Sequence, residues 1–199
     1  MPRNSLPPGQ YVPRDWPVLH YGPVPRFKAH SWDFWIFGAT ASGHDQCLNA
    51  QEFAGLPRAD VVADLHCVTK FSVPDNAWWG VSAATILDVA PPHDDITHVM
   101  VWAEFGYSAN MRVDDFAAEH TLFATHCDGE ALTPEHGYPL RLIVPHLYAW
   151  KSVKWVRGVE YLTQDRRGFW EERGYHNIAE VWREQRYTHQ EETGEGPDL

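Results

Sequence analysis

The chain has 199 residues, enough for one domain to bury a core without help from a metal or a disulfide. Ten Trp, eight Tyr and nine Phe exceed what a minimal core needs, which leaves either an aromatic-rich core or aromatic walls for a pocket. A formal charge of −11 opposes binding to nucleic acid or to an anionic membrane, and no apolar run approaches the ~20 residues that span a bilayer.

Cys47, Cys67 and Cys127 are odd in number and widely spaced, with no C-x-x-C, so free thiols in a reduced compartment are expected. The N-terminus shows no basic region followed by an apolar segment, and a cytoplasmic protein is the expectation. Residues 1–26 carry seven of the fifteen prolines, which forbids regular helix and predicts an extended arm lying over the domain.

"SWDFWIFGAT" (31–40) reads as a strand and "LNAQEFAGLP" (48–57) as a short helix closed by Gly55 and Pro57. "ADVVADLHCV" (59–68) reads as a strand running into Cys67, and "WWGVSAATILDVA" (78–90) has helical spacing and stops before Pro91. "ITHVMVWAEFGYSANMRV" (96–113) reads as two strands joined around Phe105 and Gly106. The next segment reads as a helix entering a strand, with a turn at Asp128 and Gly129. "YPLRLIVP" (138–145) and "WKSVKWVRGVEYLT" (150–163) read as further strands. Residues 188–199 form an acidic tail expected to be disordered. Strands and helices mix without a regular βαβ rhythm, which predicts an α+β fold with a mixed sheet in one domain over 27–187.

The chemistry centres on Cys67. It reads as a small buried hydrophobe, as a nucleophile paired with one of twelve histidines, or as a zinc ligand suggested by the pairs His66-Cys67 and His126-Cys127. Neighbours on a strand point to opposite faces, so each His-Cys pair offers one ion only one ligand. Downstream, Arg141 lies in a β-like run, and Ser152 and Lys154 stand two apart, on one face of a strand. A donor fork, a hydroxyl and a point charge suit one phosphate, although Arg141 paired with a buried carboxylate and Lys154 in solvent would fit the spacing equally.

"HCVTKFS" (66–72) with "WWGV" beginning eleven residues after the cysteine, "HGYPLRLIVPHLYAWKSVKWV" (136–156) and "FWEERGYHNIAEVWREQRY" (169–187) occur in one order. Together they resemble the molybdopterin-binding domain of the sulfite oxidase superfamily over about Pro17 to Tyr187. The likeness is greatest to its small single-domain bacterial branch, related to the periplasmic methionine-sulfoxide reductase catalytic subunit.

The resemblance implies a sulfite-oxidase-type molybdopterin-binding fold, a molybdenum–molybdopterin cofactor and two-electron oxygen-atom transfer to or from a small oxo acceptor or donor. It makes Cys67 the thiolate ligand of molybdenum and assigns the pterin phosphate to Arg141, Ser152, the backbone of Val153, and Lys154. His136 corresponds to a cofactor contact in relatives, and His20, in an arm whose motif departs from the family's, is a weaker correspondence. Lys70 either faces the pocket and attracts an anion or is solvated, and Tyr107 is either a donor near the metal or a core tyrosine. No arginine cluster matching that of the sulfite oxidases can be assembled, so the substrate stays unassigned. With no stretch for a haem or dimerisation module, a separate electron-transfer partner and a monomer or weak dimer are expected. The competing reading is a non-catalytic pterin-binding or interaction module on the same fold.

Overall fold

A computed structural model describes residues 6–197. Two five-stranded sheets form the domain. The first contains β1 (Asp33–Gly38), β2 (Gln46–Asn49), β5 (His98–Ala103), β6 (Ser108–Arg112) and β10 (Val156–Leu162), in the order β2-β1-β10-β5-β6. β1 and β10 run parallel and the other pairs antiparallel, so this sheet is mixed as expected. The second contains β3 (Ala59–His66), β4 (Ser72–Ser82), β7 (Leu122–Cys127), β8 (Glu130–Ala131) and β9 (Arg141–Ile143), with β8 and β9 both paired to β7. Among the described residues the α-helices are short: α1 (Ala50–Ala54), α2 (Ala83–Val89) and α3 (Val113–Phe116). None is long and apolar enough to cross a membrane.

The sheets share one core in which Phe34, Ile36, Val101 and Val159 of the first meet Val81, Phe123 and Leu142 of the second, with Phe53 and Ile86 from the helices. The strand β1 shows why: Phe34 and Ile36 are buried while Trp35 between them is exposed, the period of two expected of a half-buried strand. Asn49 caps α1 by accepting from the N–H groups of Gln51 and Glu52, and Glu52 returns a bond to the N–H of Asn49.

The structure corrects the sequence reading in three places. Residues 78–82, read as helix, belong to β4, and α2 begins only after its cap Ser82, which accepts from the N–H of Thr85. Pairing on both sides, to β3 and β7, overrides local spacing there, and a Cβ on Gly80 would lie 2.0 Å from the carbonyl oxygen of Phe123. Residues 150–155, read as strand, instead form a turn and bends in which only Lys154 keeps a β-bridge, to Arg141, with Lys151 N–H bonded to the Tyr148 carbonyl and Ser152 N–H to the Ala149 carbonyl. The acidic stretch expected to be disordered folds back as far as residue 197. Glu191 accepts from both terminal nitrogens of Arg167 at 2.9 and 2.7 Å, so opposite charge organises what composition read as solvated.

Residues 6–26 contain no helix, and residues 1–5 of the expected arm lie outside the described residues. Tyr11 bridges to Phe71 beside the start of β4, and Trp16 stacks on His136 with ring centroids 4.1 Å apart.

Candidate active site

A cavity of about 460 Å³ opens beside the end of β3 and the β5–β6 turn, one from each sheet. Its walls come from the arm, the turn after β3, the β5–β6 turn, and the loops around 136–141, 149–155 and 169–175. Eight residues singled out in the sequence line it: His20, Cys67, Tyr107, His136, Arg141, Ser152, Val153 and Lys154. Lys70 does not line it; it sits on the exposed side of the turn with φ +78°.

β3 ends at His66, and Cys67 opens a tight turn rather than closing a strand. The Cys67 N–H donates to the Phe71 carbonyl at 2.8 Å, and its carbonyl accepts from Lys70 N–H at 3.0 Å and from Gln10 Nε2 at 3.1 Å. Main chain and arm thus fix the Cα, while Cys67, half-buried, lines the cavity and its sulfur accepts from Thr69 Oγ1 at 3.1 Å. His66 turns away: its Nδ1 lies 2.7 Å from Ser72 Oγ in a buried pocket. Among the described residues no cluster of three or more His, Cys, Asp or Glu side chains could hold a metal, so the zinc reading has no geometry behind it. Cys127 is outside the cavity lining, and burial and the neighbouring Asp128 push its thiol up to about 12.

The cationic residues are placed by a glycine and a serine. Gly137 has φ +114°, and a Cβ there would meet Arg141 Cβ at 2.9 Å and Lys154 Cβ at 3.3 Å, so only glycine lets the three approach. Arg141 is buried, donates from Nη1 to the His136 carbonyl at 3.0 Å, and keeps Nε without a partner. Trp16 and Trp78 flank its guanidinium with centroids 5.7 and 5.5 Å away. No carboxylate among the described residues pairs with Arg141 or Lys154, which removes the reading of Arg141 as half of a buried ion pair. Burial lowers Arg141 to about 10, and burial together with the Arg141 charge lowers Lys154 to about 7.

Lys154 Nζ donates to the carbonyls of Leu19 and Glu135 at 2.8 and 2.7 Å, which leaves the third proton of its ammonium for a ligand. Ser152 Oγ accepts from Val144 N–H at 2.9 Å and so also retains its own proton. His136 bonds Thr133 through Nδ1 at 3.0 Å and leaves Nε2 buried without a partner; burial and the charges of Lys154 and Arg141 hold its pKa down. The Val153 N–H is directed at the Lys151 carbonyl at 3.1 Å, and His20 bonds its own arm at Gly22.

Beneath this loop lies a fully buried ion pair, Lys151 Nζ to Glu171 Oε1 at 2.6 Å. Lys151 also donates to the carbonyls of Asn110 and Asn177, and Glu171 accepts from Trp150 Nε1 at 2.9 Å. Tyr107 joins the same frame by donating its hydroxyl to the Trp150 carbonyl at 2.7 Å. The pair is absent from the sequence reading, as are Trp16, Thr69, Trp150, Trp170 and Tyr175, which line the cavity. The signal for Trp16, Trp150, Trp170 and Tyr175 was the aromatic surplus, which here does wall a pocket.

Two sheets of this topology enclose a cavity lined by a turn-borne cysteine and by Arg141 and Lys154, neither of which forms a salt bridge among the described residues. The family model "Oxidoreductase molybdopterin binding domain" matches residues 21–170, and the chain belongs to that family. It is 41% identical over 186 residues to the "Uncharacterized oxidoreductase YuiH" of Bacillus subtilis, covering 93% of each chain. Identity to the "Protein-methionine-sulfoxide reductase catalytic subunit MsrP" of Campylobacter jejuni is 23%, over 73% of this chain and 54% of that one. For "Sulfite oxidase, mitochondrial" of Mus musculus it is 23%, over 89% and 39%. The fold matches the sulfane dehydrogenase SoxCD of Paracoccus pantotrophus with a TM-score of 0.65 at 18% identity, over 73% of this chain and 41% of that one. The expected sulfite-oxidase-type molybdopterin-binding fold is therefore the observed one.

Proposed function

We propose that this chain is a molybdopterin-dependent enzyme performing two-electron oxygen-atom transfer, with Cys67 as the thiolate ligand of molybdenum. The observation that supports it most is the pair Arg141 and Lys154, two cations lining one cavity in a chain of charge −11, neither of them salt-bridged to a carboxylate among the described residues. A buried cation without a counter-ion is costly, so a resident anion accounts for both.

The donors fit a phosphate ester. Arg141 offers Nε and its remaining N–H groups, Lys154 one proton and Ser152 a hydroxyl, while His136 Nε2 waits beside them. Once bound, the cofactor would supply the redox couple and the oxo group. The protein's part is to hold the pterin by its phosphate, present the Cys67 sulfur on a rigid turn, and enclose the reacting region between Tyr107, Trp150, Trp170 and Tyr175. Tyr107, its proton committed to the Trp150 carbonyl, acts here by positioning the loop. Lys70, outside the lining, is assigned no part in the reaction. Electrons would be exchanged with a separate partner, and the substrate would be a small oxo donor or acceptor.

Protein purified from a molybdopterin-competent host should carry molybdenum and pterin and turn over with a dye as electron donor or acceptor on sulfoxides, N-oxides or sulfite. Absence of both metal and pterin would sink the proposal. Bound pterin without any turnover would instead favour the non-catalytic module.

A further inference from the structure

The Thr69 hydroxyl is the only side-chain donor to the Cys67 sulfur among the described residues, at 3.1 Å. The contact is built into the turn. Cys67 and Phe71 close it through their main chains, Lys70 completes it in a left-handed conformation, and Gln10 from the arm holds the Cys67 carbonyl. Because the Cys67 N–H is committed to Phe71, it is not available to the sulfur. Thr69 and Cys67 both line the cavity.

We propose that Thr69 is a positioning residue that tunes the Cys67 thiolate by hydrogen bonding to it, and so sets how strongly the sulfur donates to molybdenum. A hydrogen bond to a thiolate stabilises charge on sulfur and weakens its donation to a metal, which raises the reduction potential of the centre. An aliphatic side chain of the same shape removes the bond without changing volume. Serine keeps the hydroxyl and loses only a methyl group. Thr69 is exposed and its side chain lies outside the core, so neither change disturbs packing.

The inference rests on Cys67 being the metal ligand, and the experiment separates the two. Molybdenum-loaded wild type, Thr69→Val, Thr69→Ser and Cys67→Ser are compared by absorption spectroscopy and by redox titration of the metal. Thr69→Val is expected to move the sulfur-to-metal charge-transfer band to longer wavelength and the midpoint potential to a more negative value, with Thr69→Ser restoring both. A Thr69→Val protein that matches wild type in band and potential, while Cys67→Ser lacks the band, would overturn the role of Thr69 and leave the ligand in place. A Cys67→Ser protein whose sulfur-to-metal absorption and midpoint potential both equal those of wild type would overturn both.

Discussion

Arg141 and Lys154 carry the same cost for the folded chain. Each is desolvated, and each has lost affinity for its proton because burial, joined at Lys154 by the Arg141 charge, outweighs the negative charges nearby. Lys154, at about 7, binds fewer protons folded than unfolded between that pH and the ordinary lysine value of 10.5. Folding of the cofactor-free protein should therefore gain stability as pH rises from about 7 through that window, and Lys154→Met should flatten the gain in a denaturant series. Phosphate-ester binding runs the other way, since it needs the ammonium. Its affinity should fall as pH rises past 7, and calorimetric titration on both sides of that value checks the sign. Arg141→Met should cut pterin retention by roughly 10- to 100-fold, the worth of one or two hydrogen bonds to a charged group, and leave no carboxylate unpaired. Pterin fluorescence per mole of purified protein measures it. The family's motifs made these residues legible in the sequence; their lack of carboxylate partners was not, because it depends on what the fold places elsewhere.

At the scale of elements, the loop 149–155 is held from below by Lys151 and Glu171, both inaccessible to solvent. Breaking a buried pair leaves the other charge stranded, at a cost of about 3–5 kcal/mol. Glu171→Gln should destabilise the protein on that scale in thermal or chemical unfolding, and the double variant Lys151→Met/Glu171→Leu should recover part of the loss. Gly137→Ala should lower both stability and pterin retention, since its φ of +114° and its contact with Arg141 leave no room for a methyl group. Sequence periodicity located β1, β5, β6 and β7 because each is a short apolar run bounded by turns or caps. It failed at Trp78–Ser82 and at Trp150–Trp155. In the first case sheet pairing outweighs local spacing. In the second, a buried lysine fastened to partners 20 to 41 residues away holds the chain in turns.

Across the whole molecule the site is a product of closure. The arm contributes Trp16 and the Leu19 carbonyl to the anion-binding end, and the segment 169–175 contributes the aromatic wall. Neither is adjacent in sequence to Cys67, which is why the aromatic surplus was visible and its purpose was not. The acidic stretch closes the other side: Glu191 fastens Arg167 and the Asn177 N–H, and Asn177 in turn supports Lys151. Ending the chain after Tyr187 should therefore lower the unfolding temperature and reduce pterin retention together, as read by calorimetry and pterin fluorescence. The most direct test of the account is X-ray absorption at the molybdenum edge of the loaded protein, wild type against Cys67→Ser. The account predicts that the variant keeps the pterin but shows reduced sulfur ligation at the metal. Identical sulfur ligation in the two proteins would contradict it.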